Sequence, residues 1–213
     1  MIVGWDVSTS AIGICVKDDD GKTREFGVIY PKGETHSEKQ RDAAAQVITF
    51  CKRVCPDAKH FVEDRLGGFT GGRTSSQTLM ALAAMNAVVS FVLSGFGTVA
   101  HIPPVTVNRI MGFKKPRGEE RKPLVVKLVR SREPSFPYRE TAAGNYVKGT
   151  DDMADAWMLA EAGGKIVRGE ASVGQPKKAS GGERKARPAK GKRKPQGGVG
   201  LPVSQPEVRD AGD

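Results

Sequence analysis

Residues 1–16 read MIVGWDVSTSAIGICV, and this stretch decides the predicted fold. The apolar run from Ile2 to Val7 is typical of a β-strand, and the small residues 8–10 are typical of a turn. A second apolar run, Ile12 to Val16, predicts the antiparallel partner of that strand. Asp6 is therefore held near the end of an apolar strand, where an ionised carboxylate is costly unless it binds a cation or accepts hydrogen bonds. Both explanations, a metal ligand and an acid that caps the turn, stay open at this point.

The composition indicates one folded domain followed by a basic tail. The chain has 213 residues and a formal net charge of +10, which is enough length for one sizeable core. Between residues 166 and 198, ten Lys or Arg stand against two acids, and large apolar residues are almost lacking there. Such a segment cannot bury enough surface to offset its ordering entropy. We predict a folded domain over residues 1–168 and a disordered Lys/Arg/Pro/Gly-rich tail over residues 169–213.

The three cysteines indicate a reducing compartment. Cys15, Cys51 and Cys55 show no CxxC spacing and no companion histidine cluster. This pattern argues against a disulfide framework or a zinc site, and the sequence opens directly into a strand without a signal peptide. We expect a cytoplasmic protein whose cysteines pack in the core.

Two adjacent acids follow a second buried strand. A third strand is predicted at about Arg24 to Tyr30, and a helix opens at Ser37, where Ser37 and Gln40 have the spacing of a capping box. The strand after it, Lys59 to Arg65, ends in Glu63 and Asp64. Alternation along the strand does not decide which of the two faces the core, and a solvated strand end is the alternative to a functional role for either.

A long apolar helix is predicted at Ser76 to Leu93. No Asp, Glu, Lys or Arg occurs between Thr74 and Asn108, and apolar residues cover two faces of this helix. A helix that is apolar on two faces is buried on two sides. We predict that one face packs on the sheet and the other on a second subunit. The run is barely long enough to cross a bilayer and polar residues interrupt it, so we expect no membrane span.

The last predicted helix opens with three aspartates. A strand at Gly97 to Ile102, which contains a packed His101, precedes a short helix at about 105–111, a basic stretch at 114–122, a helix at about 124–132 and a loop at 133–148. Thr150 is expected to cap the final helix. Asp152 and Asp155 are three residues apart and share a face, and Asp151 and Asp155 are four apart. The helix dipole favours acids in the first turn, which explains Asp151 and Asp152 better than Asp155.

The order of these elements and acids resembles the ribonuclease H-like nuclease superfamily, and within it the RuvC-type Holliday junction resolvases, in a phage or otherwise diverged branch. The resemblance covers roughly residues 1–165. Four stretches carry it: GWDVSTSAIG, FVED, the helix Ser76 to Leu93, and DDMADAWMLA. It implies an α/β fold with a mixed sheet of about five strands flanked by helices. It also implies a protein of the bacterial or phage-infected host cytoplasm.

The resemblance also implies the site residues. It selects Asp6, Glu63, Asp152 and Asp155 as catalytic, metal-binding acids, with Asp151 an adjacent competitor for Asp152. Family members place basic residues beside the site and an aromatic residue at the junction centre. The nearest matches here are Arg109 and Lys122 for the basic residues and Phe69, in a glycine-rich stretch with Arg73, for the aromatic one. From their charge alone, we also expect phosphate contacts by Lys114, Lys115, Arg117, Arg121 and the basic tail, which give affinity without sequence information. The DNA-binding residues that we select are Phe69, Arg73, Arg109, Lys114, Lys115 and Lys122.

The chemistry of phosphodiester cleavage suits these residue types. Hard cations prefer carboxylate oxygens, and two Mg²⁺ ions can activate water, neutralise the phosphate and assist the leaving oxygen. We expect Asp6 to bridge two Mg²⁺ ions, Glu63 to hold one, and Asp152 with Asp155 to hold the other, with Mn²⁺ able to substitute. Because a four-way junction has two-fold symmetry, we expect a homodimer that acts on branched DNA.

Two other functions fit parts of the sequence. A non-catalytic nucleic-acid-binding protein could keep the same fold. The first motif is also shared by actin-like ATPases and sugar kinases, whose phosphate-binding turn follows an Asp at the end of the first strand. Those chains are much longer than 213 residues and lack the late DxxDA helix.

Overall fold

The computed structural model describes residues 1–64 and 75–173, and within these it contains five strands and five helices. The strands are β1 (Ile2–Val7), β2 (Ile12–Lys17), β3 (Thr23–Ile29), β4 (Ala58–Glu63) and β5 (Gly97–Ile102). The helices are α1 (His36–Val54), α2 (Ser76–Ser94), α3 (Pro104–Met111), α4 (Arg121–Arg132) and α5 (Thr150–Val167). These residues belong to one compact unit, Met1–Gln175.

The strands form one mixed sheet in the order β3-β2-β1-β4-β5. β1 pairs antiparallel with β2, and β2 pairs antiparallel with β3, whereas β1, β4 and β5 run parallel. The parallel pairs need crossover helices, and α1 and α2 supply them. The predicted α/β class, with a mixed five-stranded sheet flanked by helices, is confirmed.

Alternate residues of the central strands pack into two separate cores. Val3, Trp5 and Val7 of β1 pack on the face covered by α1 and α2. Ile2 faces the opposite side, where α3, α4 and α5 cover the sheet. Cys15 belongs to the second core and Cys51 and Cys55 to the first, all three as buried free thiols, which agrees with the prediction for the cysteines.

Two predicted caps are wrong by one or two residues. α1 begins after Thr35, whose hydroxyl accepts from the Glu38 amide while the Glu38 carboxylate accepts from the Thr35 amide. The charged Glu38 makes the stronger capping box, and Ser37 lies inside the helix. The N-cap of α5 is Gly149 at φ 89°, and Thr150 is the first helical residue.

Helix α2 buries one face and exposes the other. Among the described residues it is the one helix long and apolar enough to cross a membrane. Met80 and Phe91 are 73% and 81% exposed, and Ala84 and Ala87 are exposed as well. These four positions form one stripe along the helix. The expectation that it does not enter a membrane stays a prediction.

Candidate active site

Two of the predicted acids lie side by side in the centre of the sheet. Trp5 pairs with Val62 in the parallel β1/β4 ladder, so Asp6 and Glu63 follow on adjacent strands, which are spaced about 5 Å apart. Phe61 belongs to the core under α5, and Glu63 is two residues further on, so it faces the same side. Asp6 and Glu63 are 3% and 9% exposed. Asp64, the competitor of Glu63, follows the strand, and its amide donates to the Ile102 carbonyl.

Two glycines let α5 approach these strands closely. A Cβ atom on Gly4 would lie 2.1 Å from the Ala156 carbonyl oxygen, and one on Gly13 would lie 2.0 Å from the Asp152 carbonyl oxygen. Gly13 is the cross-strand partner of Asp6. The first turns of α5 therefore lie directly over the sheet next to Asp6, because no side chain separates helix from strand.

The charge on Asp155 is coupled to both strand acids. Its side chain is buried in α5, and burial, followed by the charge of Asp6 and a smaller contribution from Glu63, raises the pKa of Asp155 to about 7. The Arg121 guanidinium opposes this by donating to the Asp155 carboxylate over 2.8 Å. The structure thus brings Asp6, Glu63 and Asp155 together as a buried group of acids with one arginine at its edge.

A second ion pair lies at the start of α5. The Lys122 ammonium donates to Asp151, and this bond, together with the charges of Asp151, Asp152 and Asp155, raises the pKa of Lys122. Lys122 therefore lies beside the acids, where the sequence predicted a basic residue. Asp152 is half-buried on the same turn as Asp151. The choice between Asp151 and Asp152 as a ligand stays a prediction.

These two cations oppose the dipole of their own helix. Arg121 and Lys122 are the first residues of α4, where the helix dipole disfavours positive charge. Their acidic partners on α5 compensate, since Arg121 pairs with Asp155 and Lys122 with Asp151. The acids of α5 thus stabilise two cations at the end of α4 where the helix dipole alone would disfavour them.

The donor chemistry of this group fits Mg²⁺, but its side chains do not form a closed metal site. All the donors are carboxylates, which Mg²⁺ prefers, and their mutual repulsion favours a divalent cation among them. Within residues 1–64 and 75–173, however, no three His, Cys, Asp or Glu side chains are grouped closely enough to hold one ion. Asp155 in particular would have to leave Arg121.

The other predicted DNA-binding residues are exposed or fall outside the described part of the chain. Arg109 is exposed on α3 and donates to the Ser172 carbonyl. Lys114 and Lys115 are exposed between α3 and α4, and Lys115 donates to the Glu119 carbonyl. Phe69 and Arg73 fall in residues 65–74, outside the described residues.

Sequence reasoning missed a hydrogen-bonded chain that reaches Glu63 from α2. Asn86 donates to the Glu63 carbonyl oxygen over 3.0 Å, and Ser90 links Asn86 to His101. His101 is exposed, so its prediction as a packed residue is wrong. The signal was present, because a lone Asn within a buried apolar face needs a polar partner.

The fold described above, a mixed five-stranded sheet with helices on both faces, is of the ribonuclease H-like class and is similar to the fold of solved RuvC structures. RuvC of Thermus thermophilus in complex with a Holliday junction substrate superposes with a TM-score of 0.55 and 15% sequence identity, covering 79% of this chain and 97% of that one. A second structure of Thermus thermophilus RuvC gives a TM-score of 0.53 and 16% identity over the same shares of both chains.

The yeast mitochondrial Holliday junction resolvase Ydc2 is a more distant neighbour. It gives a TM-score of 0.48 and 13% identity over 76% of this chain and 77% of its own. No protein-family model and no curated protein matches the sequence. At these identities the similarity establishes the fold, and the function has to be argued from the site.

Proposed function

We propose that this protein is a metal-dependent, structure-selective endodeoxyribonuclease that resolves Holliday junctions or related branched DNA in the cytoplasm. The observation that carries the proposal is the meeting of Asp6, Glu63 and Asp155 beneath α5. Support comes from the shared fold with RuvC of Thermus thermophilus, which was solved with a Holliday junction.

The acids are proposed to hold two Mg²⁺ ions, for which Mn²⁺ could substitute. Asp6 would contribute to both ions, Glu63 to one, and Asp152 with Asp155 to the other. When bound, the ions supply an activated water, charge neutralisation at the scissile phosphate and stabilisation of the departing 3′ oxygen. No protein nucleophile is needed for this chemistry.

The cations of α4 have two roles in this proposal. Arg121 neutralises Asp155 while no ion is bound, and Lys122 does the same for Asp151. Both side chains are partly exposed. They can therefore turn to a phosphate of the DNA strand as it reaches the acids, which would position the backbone without reading its sequence.

A homodimer through the exposed stripe of α2 would present two such sites. Met80, Ala84, Ala87 and Phe91 give this stripe an apolar surface rare on a monomer. Phe91→Glu should convert the dimer to monomers in sedimentation equilibrium, and Lys52→Glu on α1 is the control. A wild-type protein that sediments as a monomer at micromolar concentration contradicts this part of the proposal.

Exposed cations are proposed to supply nonspecific DNA affinity. The proposed contacts to the junction arms and centre come from Arg109, Lys114, Lys115, Phe69, Arg73 and the basic residues after 173. Deleting the residues after Gly169 should weaken junction binding and flatten its salt dependence, because fewer counterions are released. A truncated protein with an unchanged salt slope would remove the tail from the DNA interface.

One observation favours a second candidate, a DNA-binding protein of this fold without catalysis. In the described residues no three acids form a ready metal site. The two candidates differ in their products, because a binding protein would retain junctions without cutting them.

The test compares synthetic four-way, three-way, flap and duplex DNAs with Mg²⁺, with Mn²⁺ and with a chelator. We expect metal-dependent cutting of the branched forms. Asp6→Asn should keep junction binding and reduce cutting to the level without enzyme. If no branched DNA is cut with either metal, the nuclease proposal is wrong. The alternative of an actin-like phosphotransferase is tested separately, since it requires ATP binding and a titration without binding would exclude it.

Matched neighbours identify the ligands. Glu63→Gln should abolish cutting, whereas Asp64→Asn should leave most of it. The pair Asp151→Asn and Asp152→Asn decides which acid of the first turn belongs to the metal site. If Glu63→Gln and Asp64→Asn lose the same amount of cutting activity, the reaction depends on the conformation of the strand end and not on one particular carboxylate.

A further inference from the structure

The segment between α4 and α5 is held in a defined conformation by core packing and backbone pairing. Phe136 is buried in the core beneath α5 and its ring meets Phe26 edge-on at 5.3 Å between centroids. Further along, Glu140 and Tyr146 form an antiparallel bridge, and Gly144 makes the turn at φ 77°. The two arms of this turn are therefore held in place, which fixes Tyr138 and Tyr146.

A cavity of about 470 Å³ lies between this segment and α4. Its lining includes two aromatic rings, Tyr138 and Tyr146, and two cations, Lys127 and Arg130. The cavity also meets Pro123 and Val126, which share one face of α4 with both cations. Its volume is in the range of small-molecule sites.

The chemistry of the lining is that of a single-stranded nucleic-acid site. Aromatic rings offer faces on which any base can stack, and lysine or arginine binds the phosphate that follows it. The Arg130 guanidinium lies over the Tyr138 ring at 4.3 Å, so it would move to the phosphate when a base takes its place on the ring. The Tyr138 hydroxyl donates to the Glu140 carboxylate.

The cavity lies next to the acid group. Burial and the charge of Asp151 raise the pKa of Tyr146, with smaller contributions from Glu120 and Asp155, whereas Lys122 lowers it. Along α4, Val126 of the lining is four residues beyond Lys122, on the same face and about 6 Å further along the axis. A DNA strand that passes Lys122 can therefore reach the cavity within a short length of backbone.

We propose that this cavity binds one unpaired nucleotide of the strand being cut, with its base on Tyr138 and Tyr146 and its phosphate on Lys127 and Arg130. This inference rests on the proposed nuclease function. A paired base cannot enter a cavity of this kind without leaving the duplex, whereas a branch point offers bases that unstack at low cost. The site would thus favour branched over duplex DNA independently of sequence.

The test uses full-length protein carrying Asp6→Asn, so that DNA is bound and not consumed. Four-way junctions carry the fluorescent base 2-aminopurine at single positions on either side of the cut. We expect its emission to be quenched on binding at one or two positions. Tyr138→Leu and Tyr146→Leu should each remove the quenching and weaken binding about tenfold, while Tyr138→Phe and Tyr146→Phe keep both.

The salt dependence of DNA binding gives a second measurement, because Lys127 lies on α4 and its substitution leaves the segment between α4 and α5 unchanged. Lys127 is exposed, so Lys127→Gln should reduce the salt slope of binding by about one ion. Lys52→Gln, the same change on α1 across the sheet, should leave it unchanged.

The outcomes separate this inference from the function on which it rests. If the wild type cuts junctions but the Leu variants bind and quench like the parent, the nucleotide site is wrong and the nuclease stands. If the wild type neither binds nor cuts branched DNA, the proposed function fails and takes the site with it.

Discussion

The two faces of the sheet bury polar groups in opposite ways. On the α1/α2 face, His60 is fully buried, yet its Nδ1 accepts from the Trp5 indole over 3.1 Å and its Nε2 lies 3.3 Å from the Phe96 carbonyl oxygen. On the α5 face, Asp6, Glu63 and Asp155 are buried within reach of one another's charge. The first arrangement is neutral and internally hydrogen-bonded, whereas the second accumulates negative charge.

Under the proposed function, this difference distinguishes a structural polar group from the acids of the site. The two arrangements begin from neighbouring residues of β1, because Trp5, which donates to His60, and Asp6 point to opposite sides of that strand. A buried histidine with two partners costs little, but a buried group of like charges favours any cation that arrives. The predictions that follow test whether the two faces differ in this way.

The largest effect is expected where the acid face depends on close backbone contact. Gly4→Ala places a methyl group 2.1 Å from the Ala156 oxygen and 2.5 Å from the Ala160 nitrogen, and backbone atoms cannot yield. We expect destabilisation of more than about 3 kcal/mol, measured by urea denaturation. Gly27→Ala is the control, because its nearest contact is an ordinary 3.6 Å to Phe50. Similar stability in both variants would mean that α5 does not lie as close to β1 as we describe.

A pair of tryptophans compares the two faces directly. Trp5→Phe leaves Nδ1 of the buried His60 without its donor and should cost about 1–3 kcal/mol. Trp157→Phe removes a similar bond, 3.2 Å to Glu133, but Glu133 keeps Thr23 and Ser135 as donors. We therefore expect the smaller loss at Trp157 in denaturation followed by circular dichroism. A larger loss of stability at Trp157 would contradict the view that His60 depends on Trp5 more than Glu133 depends on Trp157.

The sequence predicted the strands better than the contacts between layers. The run MIVGWDV fixes β1 and Asp6 by local pattern, and the spacing of Asp151, Asp152 and Asp155 fixes a helix face. Glu63 could be preferred over Asp64 only through resemblance, because alternation needs the register with β1. The pairs Arg121–Asp155 and Asn86–Glu63 join segments 34 and 23 residues apart, and no local pattern encodes them.

The glycines under α5 and the cap of α1 show two further limits. Gly4 and Gly13 are ordinary residues of an apolar stretch until a helix is placed on them, so their role depends on tertiary packing. Thr35 and Ser37 both begin a sequence with the capping-box spacing, and the choice between them depends on the charge of Glu38 against the neutral Gln40. Local patterns thus propose the elements, and packing decides their ends and contacts.

A smaller effect is expected from freeing Asp155 of its arginine. Arg121→Gln removes the cation that competes for this carboxylate, so the Mg²⁺ concentration giving half of the thermal shift should fall several-fold. Arg24→Gln, which breaks the surface pair with Asp18, should leave that concentration unchanged. Weaker Mg²⁺ binding in Arg121→Gln would indicate that the arginine supports the metal site instead of competing for it.

The smallest effect is a difference in pH dependence between the two faces. Burial lowers the pKa of His60, so its contribution to stability is present above the unfolded value of about 6.5 and is lost as the pH falls. Asp155, whose pKa is raised to about 7, acts with the opposite sign, because its ionisation destabilises the fold as the pH rises. The free energy of unfolding of the wild type alone therefore mixes two trends.

Subtracting a variant isolates the histidine. Between pH 7 and 5.5 the stability of the wild type relative to His60→Phe should fall by up to about 1 kcal/mol. His36→Gln removes an exposed histidine at the start of α1 and should run parallel to the wild type. A flat difference for His60→Phe would mean that the buried imidazole takes up a proton in the folded state, and the α1/α2 face would then tolerate a buried charge as the α5 face does.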